Sequence, residues 1–481
     1  MPSDTPRDRL SHRSYDAIVI GSGPNGLAAA ITIAQAGRRV AVIEAESLPG
    51  GGARSMELTL PGFVHDLCSA IHPLGVASPF FRSVPLHEHG LEWIHPDLPL
   101  AHPLDDGSAA ILDRSFDVTG DSLGVDAARW RRLFESLSAN ADTLFQETLG
   151  PLKLIPRHPL LLAKFGLRAI RSATGLARSW FSGDHAQALF AGLAAHSILP
   201  LEKALTSAIG LMLGIAGHAI GWPMPRGGSQ MITNAMISYL ESMGGEVITG
   251  WKVERLEDLP EARAYLFDVA PVNLSRICGE ALPRRFRRKL EKFRHGPAVF
   301  KLDWALSEPI PWKSEACRRA GTVHLGGTLA EIAAGEHDMW NGRHSEKPYV
   351  LVAQQSLFDE TRAPEGKHTG WAYCHVPARS DRDMTEEIES QIERFAPGFR
   401  DTILATTKTS PGEFESKNAN FVGGDITGGI MDIWQAFTRP TMRWNPYTTP
   451  NAKIFICSSS TPPGAGVHGM CGFHAAKASL R

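Results

Sequence analysis

No two cysteines in this sequence form a C-x-x-C pair or stand at a metal-ligand spacing. The six, Cys68, Cys278, Cys317, Cys374, Cys457 and Cys471, are scattered along the chain. That excludes a redox-active disulfide and a cysteine-held metal, and the thiols read as reduced, buried groups in a reducing compartment. Surplus charge is missing as well. The chain carries 49 Lys and Arg against 51 Asp and Glu, a net charge of −2 over 481 residues, so no basic field marks a nucleic-acid binder. There is no internal repeat and no low-complexity tract. Residues 204–224 lack Asp, Glu, Lys and Arg altogether and approach the length of a membrane span. Four glycines and His218 interrupt them and no second such stretch accompanies them, so a buried helix beside a lipophilic pocket is expected. Residues 1–14 mix Asp4 and Asp8 with Arg7, Arg9 and Arg13 around no apolar core. They read as a disordered cytoplasmic N-terminus, neither secretory signal nor transit peptide. The length and the hydrophobic fraction of 43% suit a soluble globular protein with two cores.

Glycine, by contrast, stands where it would do most. Residues 16–26 run Asp-Ala-Ile-Val-Ile-Gly-Ser-Gly-Pro-Asn-Gly. An apolar strand thus meets a tight turn and then an alanine-rich helix that Gly37 stops. Gly21 permits the turn, Gly23 lets a pyrophosphate approach the backbone, and Gly26 lets the helix pack on its strand, which puts the phosphates at the positive helix end. A second strand over 39–44 ends in Glu44, about twenty residues past the turn, as a ribose-binding acid should. A carboxylate there accepts ribose hydroxyls and repels a 2′-phosphate, which disfavours NADP and leaves FAD or NAD. Residues 48–55, Leu-Pro-Gly-Gly-Gly-Ala-Arg-Ser, add flexible backbone and one cation for a longer dinucleotide to meet, which favours FAD.

Farther along, short strands are expected between 79 and 117, a helix over 126–149, and a basic amphipathic segment over 151–181 that could touch a membrane surface or simply be solvated. A helix ending near Met243 leads through Gly244 and Gly245 into a strand at 246–253, and 265–268 reads as another strand. Residues 300–305, 349–353 and 370–375 look like strands of a second sheet with a helix over it at 386–396. A buried strand at 452–457 then meets a second glycine-rich loop, 458–470, and a last helix at 471–480. That loop again aims backbone N–H groups at an anion or dipole, and a flavin edge is the natural tenant.

The glycine turn at 21–26, Glu44, residues 50–54, the run Pro-Gly-Phe-Val-His-Asp at 61–66, the Gly227–Gly228 turn and residues 463–472 together resemble the phytoene-desaturase-like FAD oxidoreductases. That group includes carotenoid and retinoid oxidoreductases and is kin to the monoamine-oxidase fold. The nearest branch looks like the pyridine nucleotide-disulfide oxidoreductase domain-containing proteins. The resemblance implies an α/β fold, a Rossmann-like FAD-binding domain of the two-dinucleotide-binding type with a discontinuous α+β substrate domain. It implies FAD as cofactor, held by Gly21, Gly23, Pro24, Asn25, Gly26, Glu44, Ala45, Gly51, Gly52, Ala53, Arg54, Val253, Ser459, Gly466, Val467, His468 and Met470. Two departures stand out. Ser458 and Ser459 replace the Gly-Asp that many relatives carry after the last strand, and the hairpin that usually follows Val253 is replaced by residues 254–261.

The expected molecule has an FAD domain of residues 1–75, 220–283 and 446–481 and a substrate domain of 76–219 and 284–445. Its expected chemistry is dehydrogenation or desaturation of a lipophilic small molecule by hydride transfer to flavin N5. Residues 423–429 follow no suitable strand, so no second dinucleotide fingerprint exists, and oxygen, a quinone or a partner protein is the expected electron acceptor. His65, His72, His375 and His468 are the candidate acids or bases, since each neighbours a segment expected to reach the flavin and imidazole titrates in the useful range. Asp425 and the Trp434–Gln435 pair are read as shaping the pocket. Two other readings stay open: an isomerase that uses reduced FAD without net redox, and a non-catalytic flavoprotein acting as regulator or interaction partner.

Overall fold

A computed structural model describes residues 14–151 and 155–481; residues 1–13 and 152–154, which the readings of the N-terminus and of the 151–181 segment include, lie outside it. Three widely separated stretches of chain supply one parallel five-stranded sheet. Its order is Ile454–Ile456, Ala262–Phe267, Tyr15–Ile20, Val40–Ile43 and Glu246–Ile248, every pair parallel. Strands buried on both faces must be apolar throughout, and Val40–Ile43 and Ile18–Ile20 are. The helices Pro24–Gln35 and Met470–Ser479 cover one face, and they meet where Gly472 lies against the backbone of Asn25.

The second sheet has seven strands, in the order Ile403–Thr409, Ala298–Leu306, His368–Val376, Val350–Ala353, Ala320–Leu325, Leu98–Pro103 and Ala109–Leu112. All neighbours are antiparallel except Ala320–Leu325 on Leu98–Pro103. Period-two alternation sorts its side chains. Val350, Val352, Ala372 and Cys374 pack with Ile388, Ile392 and Phe395 of the helix Thr385–Phe395. Leu351, Trp371 and Tyr373 point the other way, toward the first sheet's loops.

Several elements differ from the sequence expectation. The helix anticipated over 126–149 is two, Ala127–Ser138 and Ala141–Thr148, and the segment at 151–181 holds two more, Pro159–Ala169 and Ala173–Trp180. The strand after Gly245 is only Glu246–Ile248, and Val253 lies past it in extended chain. Between Val253 and Ala262 there is a single 3-10 turn, Leu256–Asp258. The uncharged stretch forms the helix Thr206–Ala219. Its glycines are contact points: a Cβ on Gly214 would fall 2.5 Å from the Phe134 ring, and one on Gly217 would fall 2.4 Å from Leu112. Among the described residues, no helix is long and apolar enough to cross a membrane.

Candidate dinucleotide and substrate site

The strand Tyr15–Ile20 ends at Gly21, whose φ of +100° is a left-handed conformation that a side chain would strain. A Cβ at Gly26 would lie 2.0 Å from the Gly21 carbonyl oxygen. The turn is therefore closed tightly against the start of the helix Pro24–Gln35, which faces a cavity through Gly23, Pro24 and Asn25. Its N-terminal residue, Gly23, offers no capping side chain. Glu44 is fixed beneath it. Ser22 donates to Glu44 Oε2 through its backbone N (2.8 Å) and its hydroxyl (2.6 Å), and the Glu46 backbone N donates to Oε1 at 3.0 Å.

The loop 50–54 packs face to face with the first turn, since a Cβ on Gly51 would approach Gly23 Cα to 3.1 Å. Arg54, nearly buried, donates from Nε to the Gly51 carbonyl (2.8 Å) and from Nη2 to the Lys417 carbonyl (2.7 Å). It thereby fastens the loop to the end of the helix Pro411–Lys417 in the other half of the molecule. The C-terminal loop is held from behind by Arg439. That fully buried guanidinium donates to the carbonyls of Gly428, Ser459 and Ser460, and burial lowers its pKa to about 10.

These loops enclose one cavity of about 550 Å³. Its walls fall into two chemical groups. Gly21, Gly23, Pro24, Asn25, Glu44, Ala45, Gly51, Gly52, Ala53, Arg54, Val253, Ser459, Gly466 and Val467 supply the first, with Arg276 and Lys417 as further cations. Ile198, Ile209, Met212, Leu213 and Trp222 supply the second, together with Thr322, Leu351, Trp371 and Tyr373 of the seven-stranded sheet. Gly26, His468 and Met470, also expected at the cofactor, are absent from this wall: Gly26 N turns back to Asp268, and the Met470 N donates to His468 Nδ1 at 3.1 Å. The first group suits a dinucleotide. It offers glycine cradles that a Cβ would fill, a buried acid at the ribose position, and a buried Asn25 Oδ1 that has no hydrogen-bond partner among the described residues.

The four expected histidines do not converge. Only His72 faces the cavity, where its Nε2 pairs with Ser229 Oγ at 2.8 Å and burial lowers its pKa to about 4. His65 is the middle residue of the strand Val64–Asp66, paired with Met56 of Ser55–Glu57, and its Nε2 lies 2.8 Å from Thr59 Oγ1; burial, with Lys301 and Arg362 adding to it, lowers its pKa to about 3. His375 is bound through Nδ1 to Glu336 at 2.7 Å, between Tyr349 and Tyr373. His468 is buried below the last helix, its pKa lowered by burial to about 4. Asp425 and Trp434–Gln435 do not shape the cavity either. Asp425 accepts from the Gly296 and Gly429 backbones, Gln435 from the Arg294 backbone, and Trp434 is 76% exposed.

Asp268 and His196 are among the lining residues that were not anticipated as site residues. Asp268 follows the strand Ala262–Phe267 and its Oδ2 accepts from Gly26 N at 2.9 Å; burial, and then the charge of Glu44, pushes its pKa up to about 7 although that hydrogen bond works against the rise. An acid directly after an apolar strand, at the sheet end where ligands of parallel sheets sit, was the available signal. His196 ends the helix Asp184–Ala195 and lies 3.0 Å, Nε2 to Nε2, from His324. Burial, then the charge of His375, lowers its pKa to about 3, so the pair is neutral at ordinary pH and one ring donates to the other. A single histidine in an alanine-rich run gives no sign of this in the sequence. No group of His, Cys, Asp and Glu among the described residues could hold a metal.

Comparison with known proteins agrees with this geometry. Residues 19–84 match the NAD(P)-binding Rossmann-like domain family. Almost the whole chain is similar to the pyridine nucleotide-disulfide oxidoreductase domain-containing protein 2 of Rattus norvegicus, at 24% identity over 97% of this chain and 93% of that protein. It is also similar to the lycopene-forming phytoene desaturase of Pantoea ananas, at 24% identity over 96% and 98%. Among solved structures, an oxidoreductase from Methanosarcina mazei aligns with a TM-score of 0.65 at 17% identity, covering 95% of this chain and 98% of that one. Putrescine oxidase bound to putrescine aligns with a TM-score of 0.61 at 19% identity, covering 97% and 99%. The chain is thus a distant relative of the phytoene desaturases and of the rat protein, and its fold is the Rossmann-containing one of the amine oxidases. All six cysteines are free, so the disulfide in the rat protein's name has no counterpart here.

Proposed function

We propose that the protein is an FAD-dependent oxidoreductase that dehydrogenates or desaturates a lipophilic small molecule. The observation that carries this reading is a single cavity walled by both dinucleotide loops and the apolar face of the second sheet. Bound there, FAD would supply the two-electron acceptor for a hydride leaving an unactivated or allylic C–H, or a C–N carbon. Glu44 would take the ribose hydroxyls, the backbone at Gly23 to Asn25 the pyrophosphate, and Arg54, Arg276 and Lys417 would offset its charge. Trp371, Tyr373, Leu351 and Met212 keep water from the substrate half and orient an apolar molecule by contact alone. The His196–His324 pair, kept neutral by burial, brings no charge into that half. Oxygen, a quinone or a partner protein would take the electrons onward.

The test is the visible spectrum of the purified protein, with FAD added if it is colourless, before and after anaerobic addition of a lipid extract from its host. Stoichiometric bleaching supports the proposal. Conversion of a lipid without bleaching would make the protein an isomerase, and folded protein that stays colourless with excess FAD would overturn the reading.

A further inference from the structure

The segment that follows Asp425 turns apolar side chains outward. Of the eleven tryptophans in the chain, only Trp434 and Trp444 are exposed, at 76% and 87%; Met442 is 76% exposed and Phe437 53%. Single exposed apolar residues are ordinary, but four within eleven positions, on the short helix Ile433–Thr438 and the chain just after it, are a patch. Beside it lies the helix Arg284–Glu291, which buries Phe286 and Leu290 and turns Arg284, Arg285, Arg288 and Lys289 to solvent. Those four cations make no ion pair among the described residues, so their charge is offered outward. The two elements touch: Arg443 lies over the Phe286 ring, 5.9 Å from its centre, and Arg294 pairs with Asp432 at 2.8 Å.

On the helix Pro159–Ala169, Leu160 is 86% exposed and Leu167 76%. The chain just before the patch walls the cavity from inside through Ile426 and Thr427.

We propose that this face docks on an anionic phospholipid surface. The tryptophans and Met442 would enter the headgroup boundary, where a ring with an apolar body and a polar N–H is best accommodated, and the basic helix would face the lipid phosphates. A neutral apolar partner would leave the unpaired cations idle, and a purely acidic one would leave the tryptophans in water, whereas an anionic bilayer surface uses both. The inference rests on the surface and stands apart from the identity of the cofactor or substrate.

Full-length protein is sedimented with vesicles of phosphatidylcholine alone and of phosphatidylcholine mixed with phosphatidylserine, and tryptophan emission is followed with brominated lipid as quencher. Wild type is expected to bind the mixed vesicles with a blue shift and quenching, to release them as salt shortens the screening length, and to leave the neutral ones in solution. Trp434→Ser with Trp444→Ser is expected to abolish the quenching and weaken binding at least about tenfold. Arg284→Glu with Arg288→Glu is expected to weaken binding by on the order of fivefold per cation lost. Circular dichroism confirms that each variant is folded. Absence of vesicle binding, equal binding to neutral vesicles, or binding by both double variants as tight as wild type overturns the proposal. So does a wild-type dimer that ignores vesicles and becomes a monomer on tryptophan replacement, which would make the patch a contact between copies.

Discussion

Asp268 is a buried carboxyl group that accepts from the Gly26 N–H and feels the charge of Glu44. Its pKa near 7 in the folded chain lies above the unfolded value of about 4. The folded state therefore binds more protons between those values, and stability falls as pH rises from about 4 to 7. Asp268→Asn in protein freed of dinucleotide is expected to flatten that fall, so that the variant gains on wild type between pH 5 and 8 in thermal unfolding. A wild-type melting temperature that is level over this range would refute the assignment. The same residue marks what a sequence read alone misses. Gly21, Glu44 and Arg54 were legible because the glycine turns and strands that carry them lie within a few dozen residues of one another. Asp268 and His196 were not, because strand pairing and helix packing deliver them from far along the chain. His65, His375 and His468 were singled out for their neighbours in sequence, yet each of their side chains turns into packed core.

At the scale of the element, the helix Thr206–Ala219 shows how one composition carries two meanings. Its missing charges and repeated glycines were read as an interrupted span beside a pocket. Ile209, Met212 and Leu213 do line the cavity, while Gly210, Gly214 and Gly217 are where Phe190, Phe134 and Leu112 come closest to the backbone. The same exchange should then have opposite signs on two helices. Gly166, inside Pro159–Ala169, has nothing within 4 Å of where an added methyl would sit. Gly166→Ala should stabilise by about 0.5–1 kcal/mol through helix propensity alone. At Gly214 the methyl would strike the Phe134 ring, so Gly214→Ala should instead cost about 1–2 kcal/mol net, the overpacking outweighing the propensity gain. Urea unfolding of the two variants reads both values, and a stabilised Gly214→Ala would mean that Phe134 moves aside freely. Alternation in the second sheet was equally half-legible: residues 370–375 read as a strand, but which face met the cavity depended on the helix Thr385–Phe395 covering the other.

At the scale of the whole molecule, the two halves are joined by a buried polar knot. Asp66 accepts from the Ser229 backbone (2.7 Å), Ser55 Oγ (2.6 Å) and Arg362 Nη2 (2.7 Å), and both ends of the Asp66–Arg362 pair are fully buried. Asp359, three residues before Arg362, accepts from the Gly227 backbone at 2.7 Å. Burial opposes the ionisation of Asp66, yet the Arg362 guanidinium and the hydrogen bonds hold its pKa below the ordinary value. Its contribution to stability is thus present above about pH 4 and lost as pH falls below that. Arg362→Met leaves that carboxylate buried and unpaired, and should cost about 3–5 kcal/mol. Calorimetry should then show unfolding at a lower temperature; an unchanged single transition would mean that the halves hold together without the knot. The fold class was legible in the chain, since local glycine turns and strand runs announce a Rossmann unit, whereas a knot built from residues about three hundred positions apart leaves no local trace.

The interleaved sheet has a consequence in time. The opening strand leaves the ribosome early, but its neighbour Ala262–Phe267 follows only after roughly 240 residues, and the edge strand Ile454–Ile456 after about 430. The nascent polypeptide therefore cannot complete this sheet until about 430 residues beyond its opening strand have been made, and until then the apolar edge of the first unit stands without its partners.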